Sequence, residues 1–209
     1  MFVLHDILKP LQSEFSSSKL GNLRSKWFAY VLLSFIIPFT SSMSSNILRC
    51  LQTFFGININ KRRFYTFMAS SKLPWDKLWP KIWSSIPEPF TDDRLIVALD
   101  DFINPKTGKN IFGCSYIFDH AAKSNQAQYP WAQNVVLVGL LKMIKGRWAC
   151  LPLAHKFYLP QNAINSKSDN MKIAGKTPAF KTKLVQAADM LVQLAHHFKE
   201  VKILCVCDS

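Results

Sequence analysis

Two apolar stretches that end in acidic residues decide the fold: residues 95–101 read LIVALDD, and residues 201–209 read VKILCVCDS. Short continuous apolar runs of this kind are typical of strands buried on both faces. Residues 181–199, KTKLVQAADMLVQLAHHFK, precede the second stretch. Their apolar residues recur at three- and four-residue steps, which predicts a helix. The recurring positions are Leu184, Ala187, Ala188, Leu191, Leu194, Ala195 and Phe198. A helix between two strands predicts a crossover that makes the last strand parallel to an earlier one.

The residues between these stretches predict further strands. Ile111–Phe118 and Gln133–Met143 read as strands, and Arg147–Tyr158 continues as an extended segment. The strand that ends at Asp100 and Asp101 and the strand Ile111–Phe118 can form a hairpin, because the sequence Asn-Pro-Lys-Thr-Gly between them is typical of a turn. Gln161–Pro178 is polar and reads as an exposed loop. The order strand, strand, strand, helix, strand suits an α/β fold with an incomplete mixed sheet of the ribonuclease H type, in which the last strand lies beside the first.

Residues 1–90 show no useful period-2 alternation and are predicted to be helical, so we expect an α+β chain with domains at 1–90 and 91–209. One helix is expected to end at Gly56, and a second is expected from Lys61 to about Ser70. The second helix starts with the basic residues Lys61, Arg62 and Arg63. This pattern fits a helix-turn-helix DNA-binding region, and it also fits an ordinary helical hairpin with a solvated basic end.

Two segments of the first region need a separate interpretation. The apolar stretch Trp27–Phe39 is 13 residues long, shorter than the roughly 20 that a membrane-spanning helix needs, so we expect a buried helix. Its basic flank at Arg24 and Lys26 keeps a peripheral membrane protein open as an alternative. The proline-rich segment from Leu73 to Pro89 is predicted to be a linker, because proline interrupts helices.

Composition points to a polyanionic partner. Lys and Arg total 26 against 13 Asp and Glu, which gives a formal net charge of +13, and the excess is spread along the chain. A charge of this kind fits nucleic acid or anionic lipid. The five cysteines have no CxxC spacing, so a zinc site is not expected, and reduced thiols of a cytoplasmic protein are the simplest account.

The acidic residues at the ends of the two apolar strands are the strongest candidates for chemistry. Asp100 and Asp101 follow the first strand, and Asp208 follows the last one. If the strands are parallel neighbours, these carboxylates meet at one edge of the sheet, where ligands of open α/β sheets usually bind. Clustered carboxylates favour a cation, and oxygen ligands suit Mg²⁺ or Mn²⁺. The pattern therefore predicts a metal site for phosphodiester chemistry.

Three stretches carry a family resemblance. Residues 95–142, beginning LIVALDDFINPKTGK, resemble the start of the catalytic domain of bacterial insertion-sequence transposases of the DDE type. VKILCVCDS is similar to the second catalytic strand of that family, and residues 54–79 are similar to its helical DNA-binding segment. The resemblance covers roughly residues 45–209.

The resemblance implies site residues and partners. It makes Asp101 the first catalytic aspartate and Asp208 the second, with Asp100 as an alternative metal ligand beside Asp101. It implies Mg²⁺-dependent cleavage of double-stranded DNA at transposon ends, followed by strand transfer into target DNA. A bacterial, nucleoid-associated protein that can form a homodimer and has no stable membrane association is expected, with Lys61, Arg62 and Arg63 contacting DNA.

The sequence departs from the family in its third acid, which is normally a glutamate far downstream. The only glutamates are Glu14, Glu88 and Glu200, and none of them follows the second catalytic strand. We therefore expect the N-terminal part of a truncated transposase that is inactive alone. A non-catalytic DNA-binding remnant, or an inhibitor of the full-length transposase, is the alternative; another ribonuclease H-like nuclease, such as a resolvase, agrees less well with the helices upstream.

Overall fold

The computed structural model describes residues 3–36, 44–70, 73–166, 169–173 and 176–207. The chain divides into two compact units, Met1–Ile86 and Pro87–Ser209. The first unit is helical in its described part, and the second contains the sheet.

Helices form the first unit. A π-helical segment, Val3–Leu8, leads into α1, and the α-helices are α1 Lys9–Gln12, α2 Lys19–Ile36, α3 Ser44–Thr53, α4 Lys61–Met68 and α5 Trp75–Ser84. Apolar side chains from all five α-helices share one core, which includes Leu11, Phe28, Leu51, Phe64, Phe67 and Leu78. α2 contains the described part of the stretch that sequence predicted to be a buried helix, and Ile37 to Phe39 lie outside the described residues. No helix in the described ranges is long and apolar enough to cross a membrane.

A glycine-bearing turn separates α3 from α4. Gly56 has a φ of 61°, a left-handed conformation that glycine adopts without steric cost, and the chain reverses there after α3. Asn60 then caps α4, since its side chain accepts a hydrogen bond from the backbone N–H of Arg62 at 2.8 Å. The two helices and their turn therefore lie where the sequence predicts them.

The predicted proline linker is wrong over most of its length, because α5 spans Trp75–Ser84 with Pro80 inside it. Proline inside a helix removes one backbone hydrogen bond. Here the helix persists because Leu78 and Trp83 are 2% and 4% exposed and bury apolar area against the unit. Tertiary packing overrides the local signal.

The second unit contains a five-stranded mixed sheet. Its strands are β1 Arg94–Pro105, β2 Cys114–Tyr116, β3 Trp131–Ile144, β4 Arg147–Tyr158 and β5 Lys202–Cys207. β3 pairs antiparallel with β1 on one side, and with β2 and β4 on the other. β5 pairs parallel with β1, with Leu95 opposite Ile203 and Leu99 opposite Cys207. The last strand thus lies beside the first, which confirms the fold class as a mixed α/β sheet of the ribonuclease H type.

The predicted hairpin between the first two strands is wrong. Both edges of β1 are occupied, by β3 and β5, so no edge is left for β2. The strand predicted over Ile111–Phe118 is reduced to the three residues of β2, which pair with Trp131–Gln133 of β3. β1 is also longer than predicted and continues through Asp100 and Asp101 to Pro105.

The crossover helix α7 spans Lys183–His197 and is capped by Thr182, whose hydroxyl accepts from the N–H of Val185. Its buried apolar residues are Ala187, Met190 and Leu194. The predicted apolar set is wrong at Leu184, which is 78% exposed, and at Ala188 and Ala195, which are exposed as well. Because the buried positions recur at four- and three-residue steps, extending the pattern backward puts residue 183 on the face that packs against the sheet.

The polar stretch Gln161–Pro178 is only partly the exposed loop that its composition predicts. It contains a short helix, α6 Gln161–Asn165, and a 3₁₀ turn, Asp169–Met171. Ile164 and Met171 are buried together with Leu159, and they form a small core of their own. A few apolar residues in and beside a polar stretch are enough to fold it onto the sheet.

Asp189 connects α7 to the neighbouring strand. It accepts from Lys181 at 2.6 Å and from Lys156 of β4 at 3.4 Å. The hydrogen bond from Lys181 holds the pKa of Asp189 below its ordinary value of 3.8; burial opposes this shift, and the charge of Lys156 adds to it.

We expect Asp189→Asn to lower the melting temperature at pH 7. A lowered folded pKa means that the carboxylate stabilises the fold above its unfolded pKa, and that this contribution is lost as the pH falls through the folded value. The melting temperatures of wild type and variant should therefore converge in acid, and also in about 1 M salt. Asp169→Asn is the control, because it removes an ion pair between residues three apart in sequence. An equal loss of melting temperature in both variants would contradict the stabilising role assigned to Asp189.

Candidate active site

The site begins with the alternation of side chains along β1. Leu95 and Val97 are fully buried, and Asp101 continues their series at two-residue steps, so these three side chains point to the face that carries α7. Asp100 points to the opposite face and is exposed. Its carboxylate accepts a hydrogen bond from the backbone N–H of Asp101 at 2.7 Å. The two adjacent aspartates therefore lie in different environments.

Among the described residues, Asp101 has two side-chain hydrogen-bond partners, and both donate to the same oxygen. The amide Nδ2 of Asn134 lies 2.8 Å from Asp101 Oδ2, and the ammonium Nζ of Lys183 lies 2.7 Å from it. Asn134 comes from β3, where it is paired with Ile103 of β1. Lys183 is the first residue of α7. Three separate elements thus contribute to one cluster.

The ammonium of Lys183 is further oriented by an aromatic ring. It lies 5.4 Å from the ring centroid of Tyr158, within the range of a cation–π contact. Tyr158 is the last residue of β4 and is paired with Asn134 of β3. The strand register therefore places the ring and the amide side by side on the face that α7 covers.

The electrostatics of the cluster favour a charged carboxylate. Burial raises the pKa of Asp101, but the hydrogen bonds from Lys183 and Asn134, together with the positive charge of Lys183, outweigh it. The pKa of Asp101 therefore lies below the ordinary value of 3.8, and the side chain is ionised at neutral pH.

Asn134 has one polar atom without a partner among the described residues. It is 1% exposed, its Nδ2 donates to Asp101, and its Oδ1 accepts no hydrogen bond from the described part of the chain. Leaving a buried acceptor unpaired costs about 1–3 kcal/mol. A carboxylate and an amide oxygen are hard donors of the kind that Mg²⁺ and Mn²⁺ prefer, so these residues fit a divalent cation. In the described part of the chain no three His, Cys, Asp or Glu side chains form a metal-binding group.

Asp208, the predicted partner of Asp101, lies outside the described residues. β5 ends at Cys207, which is paired with Leu99, two residues before Asp101. The predicted meeting of Asp101 and Asp208 stays a prediction. Asp100, the alternative ligand, is on the face of β1 opposite Asp101.

The predicted DNA-binding residues lie at the start of α4 in the first unit, where Lys61, Arg62 and Arg63 are all exposed. Arg62 and Arg63 line a groove of about 580 Å³ together with Arg24 of α2. No carboxylate among residues 3–36, 44–70 and 73–86 lies within ion-pair distance of these three guanidinium groups. Trp27 and Phe67, whose rings pack edge to face at 5.6 Å, also line the groove.

Sequence reasoning did not identify Asn134 and Lys183, and it considered Arg24 only as the basic flank of an apolar stretch. The signal for Lys183 is its spacing from Ala187, Met190 and Leu194, which places it on the inner face of α7. Asn134 had a weaker signal, a polar residue at the start of the apolar run of β3. Arg24 could not be paired with α4 without knowing how the helices pack.

The strand order, the crossover helix and the acidic residue on the first strand define a domain of the ribonuclease H type. The chain belongs to the family described as DDE superfamily endonuclease, whose model matches residues 22–209. This match confirms the resemblance that the sequence motifs indicated and supports a transposase-type nuclease function on DNA. Endonucleases of this superfamily typically use divalent metals. No curated protein and no solved structure matches the chain significantly.

Proposed function

We propose that this chain acts in DNA transposition, with metal-dependent DNA cleavage and strand transfer centred on Asp101. The observation that carries the proposal is the position of Asp101. It lies on β1 immediately beyond the part paired in parallel with β5, and it is ionised and held by Asn134 and Lys183. Family membership supplies the nuclease class, and the charge of +13 suits a DNA substrate.

In this proposal the chain's own residues have separate roles. Asp101 would hold Mg²⁺ or Mn²⁺ together with Asp208, and the oxygen of Asn134, which has no partner among the described residues, is a further hard donor beside it. When bound, such a metal activates the attacking oxygen and stabilises the leaving oxygen of a phosphodiester. Asn134 also fixes the orientation of Asp101, because its amide donates to only one of the two carboxylate oxygens.

The first unit supplies DNA binding in the same proposal. Arg24, Arg62 and Arg63 line one groove without a carboxylate partner in the described part of the unit, so their guanidinium groups can contact backbone phosphates. Lys61, at the start of α4, adds charge beside it. A homodimer that binds two transposon ends is compatible with this assignment.

A non-catalytic DNA-binding protein, or an inhibitor of an active transposase, is the second candidate. One observation favours it: in the described residues the carboxylate of Asp101 meets an ammonium group and an amide, and no second carboxylate. DNA binding without Mn²⁺ binding would support this candidate over the first.

Asp101→Asn is expected to abolish the strongest Mn²⁺ binding of the chain, because it removes the charged ligand. Asp100→Asn is the matched control: it removes the same charge from the neighbouring residue on the opposite face, and we expect it to retain binding. Titration of Mn²⁺ followed by its electron paramagnetic resonance signal measures both. Loss in Asp100→Asn with retention in Asp101→Asn would reverse the assignment of the ligand.

Arg24→Gln is expected to weaken binding to duplex DNA and to reduce the salt dependence of the affinity by about one phosphate contact, a slope change of roughly 0.9. The double variant Arg62→Gln with Arg63→Gln should reduce the salt dependence of the affinity by about twice as much. Fluorescence anisotropy of a labelled duplex over a range of salt concentrations measures both quantities. Arg49→Gln, on the exposed surface of α3 and outside the groove, is the control. If Arg49→Gln weakens binding as much as Arg24→Gln, the groove has no special role.

A further inference from the structure

The ammonium of Lys183 is placed where a bound cation would neutralise Asp101. It lies 2.7 Å from Oδ2, and the two side chains are 41% and 34% exposed, so the pair is partly withdrawn from water. Asn134 donates to the same oxygen at 2.8 Å. The only charged side chain bonded to Asp101 among the described residues is therefore a lysine.

The fold specifies this contact. Lys183 is on the sheet-facing side of α7, four residues before the buried Ala187, and the Thr182 cap fixes the first turn of the helix. The ring of Tyr158 lies 5.4 Å from the ammonium. Two nearby lysines, Lys156 and Lys181, are bonded to Asp189 instead. Among the described residues, Lys183 is the lysine that is bonded to Asp101.

We propose that Lys183 is the resident cation of the Asp101 site and that a divalent metal binding there displaces its ammonium from the carboxylate. This inference rests on the proposed metal-binding role of Asp101. Two cations at one carboxylate repel each other, and the charge of Lys183 already neutralises the ligand. Lysine suits the exchange because its ammonium is a single point charge on a flexible stem, without the fixed two-point geometry of arginine.

The exchange can be measured through the reactivity of the lysine, without DNA and without an activity assay. The full chain is treated with an amine-acylating reagent, with and without Mn²⁺, and the modification of each lysine is quantified by mass spectrometry. We expect Lys183 to react slowly without metal and several-fold faster with Mn²⁺. Lys172, which is ion-paired with Asp169 at 2.6 Å outside the site, is the internal control and should not change. Unchanged reactivity of Lys183 while Mn²⁺ is bound at Asp101 would overturn the inference.

The Mn²⁺ affinities of variants test the same competition between Lys183 and the metal. Lys183→Met keeps most of the aliphatic stem and removes the charge, and it is expected to bind Mn²⁺ at least about threefold more tightly, a factor typical of a partly exposed ion pair. Lys172→Met should bind Mn²⁺ like wild type. In Asp101→Asn, Lys183 should react rapidly with or without Mn²⁺. Equal or weaker Mn²⁺ binding by a folded Lys183→Met variant would contradict the inference.

Different results would overturn the metal-binding role of Asp101 and the displacement of Lys183. Absence of Mn²⁺ binding in wild type and in Lys183→Met alike would overturn the metal role of Asp101, and the inference with it. Mn²⁺ binding that depends on Asp101 but leaves Lys183 unaffected would overturn the inference alone. Circular dichroism of each variant establishes that it is folded, and the labelling of the wild-type chain needs no variant.

Discussion

The parallel pairing of β1 with β5 is the constraint on which the second unit depends. Parallel neighbours cannot be joined by a tight turn, so the chain must cross over the sheet, and α7 is that crossover. The crossover packs against one face of β3 and β4, and it brings the end of β5 beside Leu99. Asp101 lies just beyond that pairing, on the covered face. The position of the acidic residue, its partial burial and its lysine partner all follow from this one connection.

The sequence predicts the second unit well where local pattern and tertiary packing agree. The apolar run before Asp100 and the periodicity of residues 181–199 identify β1 and α7, since a buried strand and a packed helix both need those patterns. Prediction fails where tertiary packing overrides the local sequence patterns. Pro80 lies inside α5 because Leu78 and Trp83 are buried, and β2 is short because both edges of β1 are already occupied. Neither cause can be read from neighbouring residues.

For a related reason, only one part of the candidate site could be predicted from the sequence. Asp101 was predictable because an acidic residue after an apolar run is a local signal. Asn134 and Lys183 are 33 and 82 positions away from it in sequence, and their contacts depend on the register of β3 and on the rotation of α7. A register change of one residue would turn Asn134 to the opposite face. The local sequence predicts Asp101, whereas the fold determines which residues surround it.

The three arginines of the groove in the first unit and Lys183 in the second unit have opposite surroundings. The guanidinium groups of Arg24, Arg62 and Arg63 have no acidic partner in the described part of the first unit, so they keep their full charge for an external anion. The ammonium of Lys183 is already bonded to Asp101, so its charge is balanced within the protein. A chain of charge +13 therefore does not present a uniform positive surface. The placement of its few carboxylates determines which basic side chains are available to an external anion and which are balanced within the protein.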